Sequence, residues 1–428
     1  MRTLSFTIAL IISLVMISSP LWWEIEDEDR DRIVDPGSVV YSLRPLPNRP
    51  HRTDITIGVS LSTSGHLIAE SNIMRQGFQL WVELVNDQGG LQVNSKRYLV
   101  RLVEVADDST PETVRKNYQH LVLEEKVDFL FAPYSSALTM ESREIAEQHG
   151  VILIVASGAS EQIYSSNNRC TFAALTSASW YTKDFFEMVR NLQPIPKSYA
   201  VLTTDKLFPK SVGKGARIRG LQNGLSEVFF KSISNLTDNL QPYIAEIGEK
   251  QPDLLIFAGH ARDAIRFTRQ LKRSHFDIPK SVIMTLGPSQ HGYVQELGPE
   301  AEGMIGMTQW LPNSQWSGDI FGNSADFAHR FQKKYGYTPS YQSAQAATCG
   351  VILQQALKRS AALDAELIVQ AIRDLDVETF FGPVKYDRRG LNIRKPMALV
   401  QVQDGKTVTI WPARQATVAL RYPLQDTP

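Results

Sequence analysis

Residues 55–91 read ITIGVSLSTSGHLIAESNIMRQGFQLWVELVNDQGGL, and the fold class is decided in this stretch. Ile55, Ile57, Val59 and Leu61 alternate as in a strand, whereas Met74, Phe78, Trp81 and Val85 recur at helical spacing and Gly89-Gly90 closes the helix. Between the two lies Ser62-Thr63-Ser64-Gly65. That position, beyond the carboxyl end of a strand, is where open α/β sheets hold their ligands.

The alternation continues along the chain. Strand patterns fall at 98–106, 128–132, 151–156, 198–204, 227–234, 253–259, 281–286 and 303–309. Helical patterns fall between them at 111–125, 138–149, 180–192, 210–225, 240–249, 263–274 and 291–297, then at 325–335, 341–362 and 365–373. Thr110-Pro111 is a start signal, an N-cap residue followed by proline at the first helical position. A hairpin over 397–403 and 407–411, turned at Asp404-Gly405, ends the pattern. Regular strand–helix alternation implies parallel sheets covered by helices on both faces.

A chain of 428 residues exceeds a single compact core, so two lobes are expected. Lysine plus arginine and aspartate plus glutamate number 45 each, a balance that gives no basic surface for nucleic acid. Cys170 and Cys349 leave two readings open, one disulfide in an oxidising compartment or two buried thiols. No Cys/His spacing suggests a metal site, and no cofactor motif is present.

Arg2 precedes an apolar run over 4–23 that ends in Trp22-Trp23. Its core has signal-peptide length, which predicts export, while Ser18-Ser19-Pro20 is a poor cleavage site. The run is also about the 20 residues that span a bilayer. Residues 1–23 are therefore read as a signal peptide or an uncleaved membrane anchor. No cysteine follows the run, which excludes a lipid anchor there. Residues 24–53, acidic at first and then carrying Pro36, Pro45, Pro47 and Pro50, read as a tether unable to pack a core.

Enzyme signatures are missing: no G-x-S-x-G, P-loop, H-E-x-x-H or G-x-G-x-x-G occurs. Asp107-Asp108 reads as a solvated or capping pair. Binding signals are clearer. Ala132-Pro133-Tyr134-Ser135-Ser136 leaves a strand and enters a helix, whose N-terminus favours a carboxylate, although simple capping explains the serines too. Ser157-Gly158-Ala159-Ser160 is a second polar loop after the adjacent strand. Thr204-Asp205-Lys206-Leu207-Phe208-Pro209 and Phe257-Ala258-Gly259-His260-Ala261-Arg262-Asp263 leave strands in the second half.

Taken in this order, the motifs resemble those of the type I periplasmic binding proteins, the leucine/isoleucine/valine-binding family of ABC transporter receptors. The resemblance covers about Asp54 to Pro412 and includes the Ala301-Glu302-Gly303 element. It implies an α/β fold of two Rossmann-like lobes with parallel sheets joined by a three-stranded hinge. The lobes would comprise 54–172 with 288–381 and 173–287 with 382–415, followed by a tail over 416–428. The crossings would lie near 171–177, 286–289 and 381–385.

By the same resemblance Ser135, Ser136, Ala159 and Ser160 would hold a ligand carboxylate, and Phe208 would pack on the ligand. Asp263 would take its ammonium, with His260 beside it; the alternative for Asp263 is a helix N-cap. Glu70, from the first loop, either faces the ligand or is an exposed first-turn glutamate, and Trp310 would form an apolar wall. The implied function is an exported receptor without enzymatic activity. It would close about a hinge on an amino acid or related small carboxylate or amide, then deliver it to ABC permease subunits. A membrane-tethered sensory domain of the same fold is the alternative.

Overall fold

The computed structural model describes residues 42–165, 167–274, 277, 279–290 and 292–424. The readings for 1–23, for the acidic half of the tether and for the last four residues lie outside the described residues. No helix among the described residues is long and apolar enough to cross a membrane.

The first lobe runs through β1 (Asp54–Ser62), α1 (Ile68–Asp87), β2 (Leu91–Val93), β3 (Lys96–Asp107) and α2 (Pro111–Leu123). It continues through β4 (Phe129–Phe131), α3 (Ser136–His149), β5 (Leu153–Val155) and β6 (Thr171–Ala173). Its six strands lie in the order β2-β3-β1-β4-β5-β6, all parallel except the β2–β3 hairpin. β1 is buried on both faces. Ile55, Ile57, Val59 and Leu61 fill one face, and the hydroxyls of Thr56, Ser60 and Ser62 are satisfied by buried carboxylates on the other. Asp107 is one of them: it is buried, and it accepts from the hydroxyls of Ser60 and Ser62 and from the Ser109 amide. Asp108 beside it is exposed and holds Thr110, the N-cap of α2.

The second lobe contains α4 (Lys183–Val189), β7 (Ser198–Thr204), α5 (Leu207–Gln222), β8 (Ser226–Ile233) and α6 (Gln241–Lys250). After these come β9 (Leu254–Ala258), α7 (Ala261–Lys272), β10 (Ser281–Met284), α8 (Tyr293–Leu297) and β11 (Ile305–Thr308). The chain then returns to the first lobe through the short pair β12 (Ser317–Gly318) and β13 (Gly322–Asn323) and the helices α9 (Ser324–Tyr335), α10 (Tyr341–Ser360) and α11 (Ala365–Arg373). A hairpin of β14 (Asp376–Thr379) and β15 (Gly382–Lys385) leads back to β16 (Ala398–Gln403) and β17 (Lys406–Trp411). The second sheet has the order β17-β16-β11-β10-β9-β7-β8, with β16 and β17 antiparallel at one edge.

α10 lies against α1 at unusually close range. A Cβ on Gly77 would stand 2.1 Å from the Ser343 carbonyl oxygen, and one on Gly350 would stand 1.9 Å from the Trp81 ring. Glycine at both positions lets the two helix backbones approach and lets Trp81 bury completely.

Three expectations change. β11 pairs with β10 and β16, so residues 288–309 belong with the second sheet and the middle crossing comes at Gln309 rather than at 286–289. Residues 42–53 are packed rather than free. Leu43 and Leu46 lie on the core, Arg44 bonds the Val122 and Val127 carbonyls, and Arg49 and Arg52 reach the buried Asp128 carboxylate. Gly150, at φ +63° after α3, leaves the room this strap needs, since a Cβ there would meet the Ser42 carbonyl oxygen at 2.4 Å. Residues 416–424 follow β16, with Gln401 and Gln403 side chains bonding the carbonyls of Arg421 and Ala419. Cys170 and Cys349 are free, buried thiols.

The three crossings are tied to one another. The Gln309 side-chain amide bonds both the N–H and the carbonyl of Thr176, and the Thr176 hydroxyl donates to the Lys395 carbonyl at 2.9 Å. The Lys395 ammonium in turn donates to the Gln309 carbonyl and sits 4.0 Å from the centre of the Phe381 ring.

Candidate functional site

The carboxyl ends of both sheets open onto a cleft between the lobes, where ligands bind in folds of this type. Its inner crevice has a cavity volume of about 20 Å³ and its outer compartment about 480 Å³; Ser135, Ser136, Phe208 and His260 border both.

Two loops of the first lobe form the floor. After β4 the chain turns sharply at Ser135, held at φ +81°, a region few serines occupy. The turn makes Ser135 the N-cap of α3: its Oγ accepts the Leu138 N–H at 3.3 Å. Ser136 Oγ accepts the Ser160 N–H at 3.1 Å, and Ser157 Oγ accepts a hydrogen bond from Gln345 Nε2. Each of these three oxygens has taken a donor, so each hydroxyl proton is available to an acceptor in the crevice.

The walls are aromatic. Phe208, at the start of α5, meets Tyr181 edge-on at 5.2 Å and tilts against His260 at 5.7 Å. Tyr134 and Tyr341 also line the crevice. Burial raises the phenol pKa values of Tyr134, Tyr181 and Tyr341, and burial lowers that of His260, so the crevice is lined by neutral groups near pH 7.

Formal charge belongs to the outer compartment, bordered by Glu70, Lys206, Arg262 and Asp263. Burial raises the pKa of Glu70, with Arg262 of the other lobe acting in the opposite sense. Asp263 has a partner on each oxygen: Oδ2 accepts the His260 N–H at 3.0 Å and Oδ1 pairs with Arg266 at 2.8 Å, closing a capping box on α7.

Of the nine residues singled out from the sequence, Ser135, Ser136, Ala159, Phe208 and His260 line the inner crevice, while Glu70 and Asp263 border only the outer one. Ser160 lies behind the floor, fully buried, with its Oγ 2.8 Å from Ser211 Oγ of the second lobe. Trp310 is not a wall of the cleft. Its ring is buried against Phe327 and its Nε1 donates to the Phe380 carbonyl at 3.0 Å, so it anchors the middle crossing in the first lobe. Sequence reasoning missed Ser157, Tyr134 and Tyr181 as lining residues, along with Tyr341 and Gln345 of α10. The first two fall within loops already singled out, whereas α10 is buried through its first three turns and shows no polar stripe.

The family model for periplasmic binding proteins matches residues 54–407. The chain belongs to the periplasmic binding protein family. Among relatives of this binding protein, the Leu/Ile/Val-binding protein homolog 7 of Brucella abortus is 25% identical over 399 residues, 87% of this chain and 95% of the relative. The branched-chain amino acid transporter substrate binding protein LivJ of Streptococcus pneumoniae, solved with isoleucine, has the same fold. It superposes with a TM-score of 0.70 at 19% identity, covering 83% of this chain and 99% of its own. A solute binding protein of an R. palustris ABC transporter, solved with benzoate, superposes with a TM-score of 0.68 at 18% identity, covering 86% and 98%. The binding protein is thus a solute receptor rather than an enzyme, and this family implies export to the periplasm.

Proposed function

We propose that this binding protein is the receptor of an ABC importer, that it takes a small carboxylate with an apolar or aromatic body, and that it delivers this solute to a membrane permease. The ligand carboxylate is held by the hydroxyls of Ser135, Ser136 and Ser157 at the N-terminus of α3. Its body lies between Tyr134, Tyr341, Tyr181, Phe208 and His260. Contacts from both lobes exist only in the closed form, so binding shifts the hinge toward closure. The observation that carries this reading is an inner crevice lined by three serine hydroxyls, each already holding a donor, and by no carboxylate side chain among the described residues. A ligand ammonium has no counter-ion on those walls among the described residues, because Glu70 and Asp263 border only the outer compartment.

A thermal-shift series with benzoate, other small acids and isoleucine tests the proposal. An acid present at about 100 times its Kd stabilises the fold by roughly 2.7 kcal/mol. Ser136→Ala should weaken it tenfold or more, whereas Asp263→Asn, which keeps the cap and removes the charge, should change it less than threefold. Binding confined to α-amino acids and abolished by Asp263→Asn would overturn the assignment.

A further inference from the structure

The inner crevice contains one polar group that a simple carboxylate leaves unanswered. Gln345 projects from α10, is 1% exposed and lines the crevice. Its Nε2 donates to Ser157 Oγ, while its Oε1 is buried and has no hydrogen-bond partner among the described residues. A buried amide carbonyl is ordinarily satisfied, and Gln345 lines the space that a ligand would fill.

We infer that Gln345 is a specificity-determining residue that accepts a hydrogen bond from a neutral donor on the ligand, a hydroxyl or N–H borne by the body of a small carboxylic acid. This rests on the carboxylate reading above and adds a second recognised group to it. The two are linked through Ser157. With Nε2 on Ser157 Oγ, the serine proton stays available to the carboxylate and the Gln345 carbonyl faces the ligand. With the amide turned over, Ser157 would donate to Oε1, and an N–H would face the ligand instead. The two orientations therefore select opposite ligand chemistry. A neutral donor suits the site because, among the described residues, its walls are neutral near pH 7 and include no carboxylate. A site built to accept a hydrogen bond discriminates sharply against the analogue that lacks the donor, since binding that analogue leaves a buried acceptor unpaired.

Calorimetric titration of the full chain with benzoate, its 3- and 4-hydroxy and 3- and 4-amino derivatives, and 4-acetylbenzoate tests this. At least one donor-bearing acid should bind tenfold or more tighter than benzoate. Gln345→Met, close in shape but without the acceptor, should bring the donor-bearing acid and benzoate within threefold of each other, with any loss from the missing Nε2–Ser157 bond falling on both acids alike. A tighter fit for benzoate or for 4-acetylbenzoate, which carries only an acceptor, would overturn the inference, as would a gap that persists in Gln345→Met. The wild-type series decides by itself if the variant does not fold. If isoleucine binds and none of the acids does, the carboxylate reading fails first and this one with it; if the acids bind without discrimination, only this one fails.

Discussion

Lys395 joins the three crossings through its ammonium and its carbonyl, and burial pushes its pKa from 10.5 down to about 7, with Asp184 acting in the opposite sense. The folded chain therefore gives up a proton that the unfolded chain keeps until about pH 10.5. Between those values the unfolded state binds more protons, so stability rises with pH; below about pH 7 both states are charged and the contribution is constant. The urea midpoint of the wild type should rise from pH 7 to pH 9.5 relative to that of Lys395→Met. Parallel pH profiles would remove Lys395 as the cause. Nothing in the local sequence Asn392-Ile393-Arg394-Lys395-Pro396 distinguishes this buried lysine from its exposed basic neighbours, because its burial comes from Gln309 and Phe381 far away in the chain. Ser135, Ser136, Ala159 and Phe208 are legible for the opposite reason: strand-end loops declare themselves locally. Trp310 is misread because a tryptophan after a strand looks alike whether it faces a cleft or a hinge.

Among the elements, the strap over 42–53 departs furthest from its composition. Its prolines and arginines read as tether, yet Arg49 and Arg52 neutralise Asp128, whose side chain is 0% exposed and also accepts the Thr56 N–H. Removing both arginines leaves that carboxylate buried and unpaired. The Arg49→Ala/Arg52→Ala double variant should lose about 3 to 5 kcal/mol, and adding Asp128→Leu should recover part of the loss because the orphaned charge goes with it. A double variant within about 0.5 kcal/mol of wild type would make the strap a mere surface appendage. At the α1–α10 contact, Gly350→Ala drives a methyl into the Trp81 ring and should cost about 1 to 3 kcal/mol in a denaturant titration; an unchanged midpoint would mean that the helices move apart freely. α10 also explains why part of the crevice is illegible in the sequence. Its first three turns are buried on every side and so carry no amphipathic stripe, and Tyr341 and Gln345 there show no signal that separates a ligand contact from a core residue.

At the scale of the whole molecule, the alternation of strands and helices makes the two-lobed α/β plan readable, while sheet membership is not. Leu286-Gly287-Pro288-Ser289 has the look of an exit from the second lobe, but the chain returns as β11 beside β10 before it leaves at Gln309. Pairing between strands that are distant in sequence decides this, and local propensity carries no information about it. The same long-range geometry offers a test of hinge closure. Ser160 of the first lobe and Ser211 of the second approach to 2.8 Å between hydroxyls, a contact that opening must break. Replacing both with cysteine places two sulfurs where a bond of about 2.05 Å can form between the lobes. The native thiols Cys170 and Cys349 are both buried, which keeps them from competing for an added oxidant. If closure runs through this contact, the oxidised double variant should bind and release a carboxylate at least tenfold more slowly than the reduced one, with reduction restoring both rates. Lowering both rates together is the signature of a locked gate, since damage to the ligand contacts would raise the release rate instead. Equal rates before and after oxidation, with the disulfide verified by mass, would show that ligand exchange does not require the lobes to part along this line.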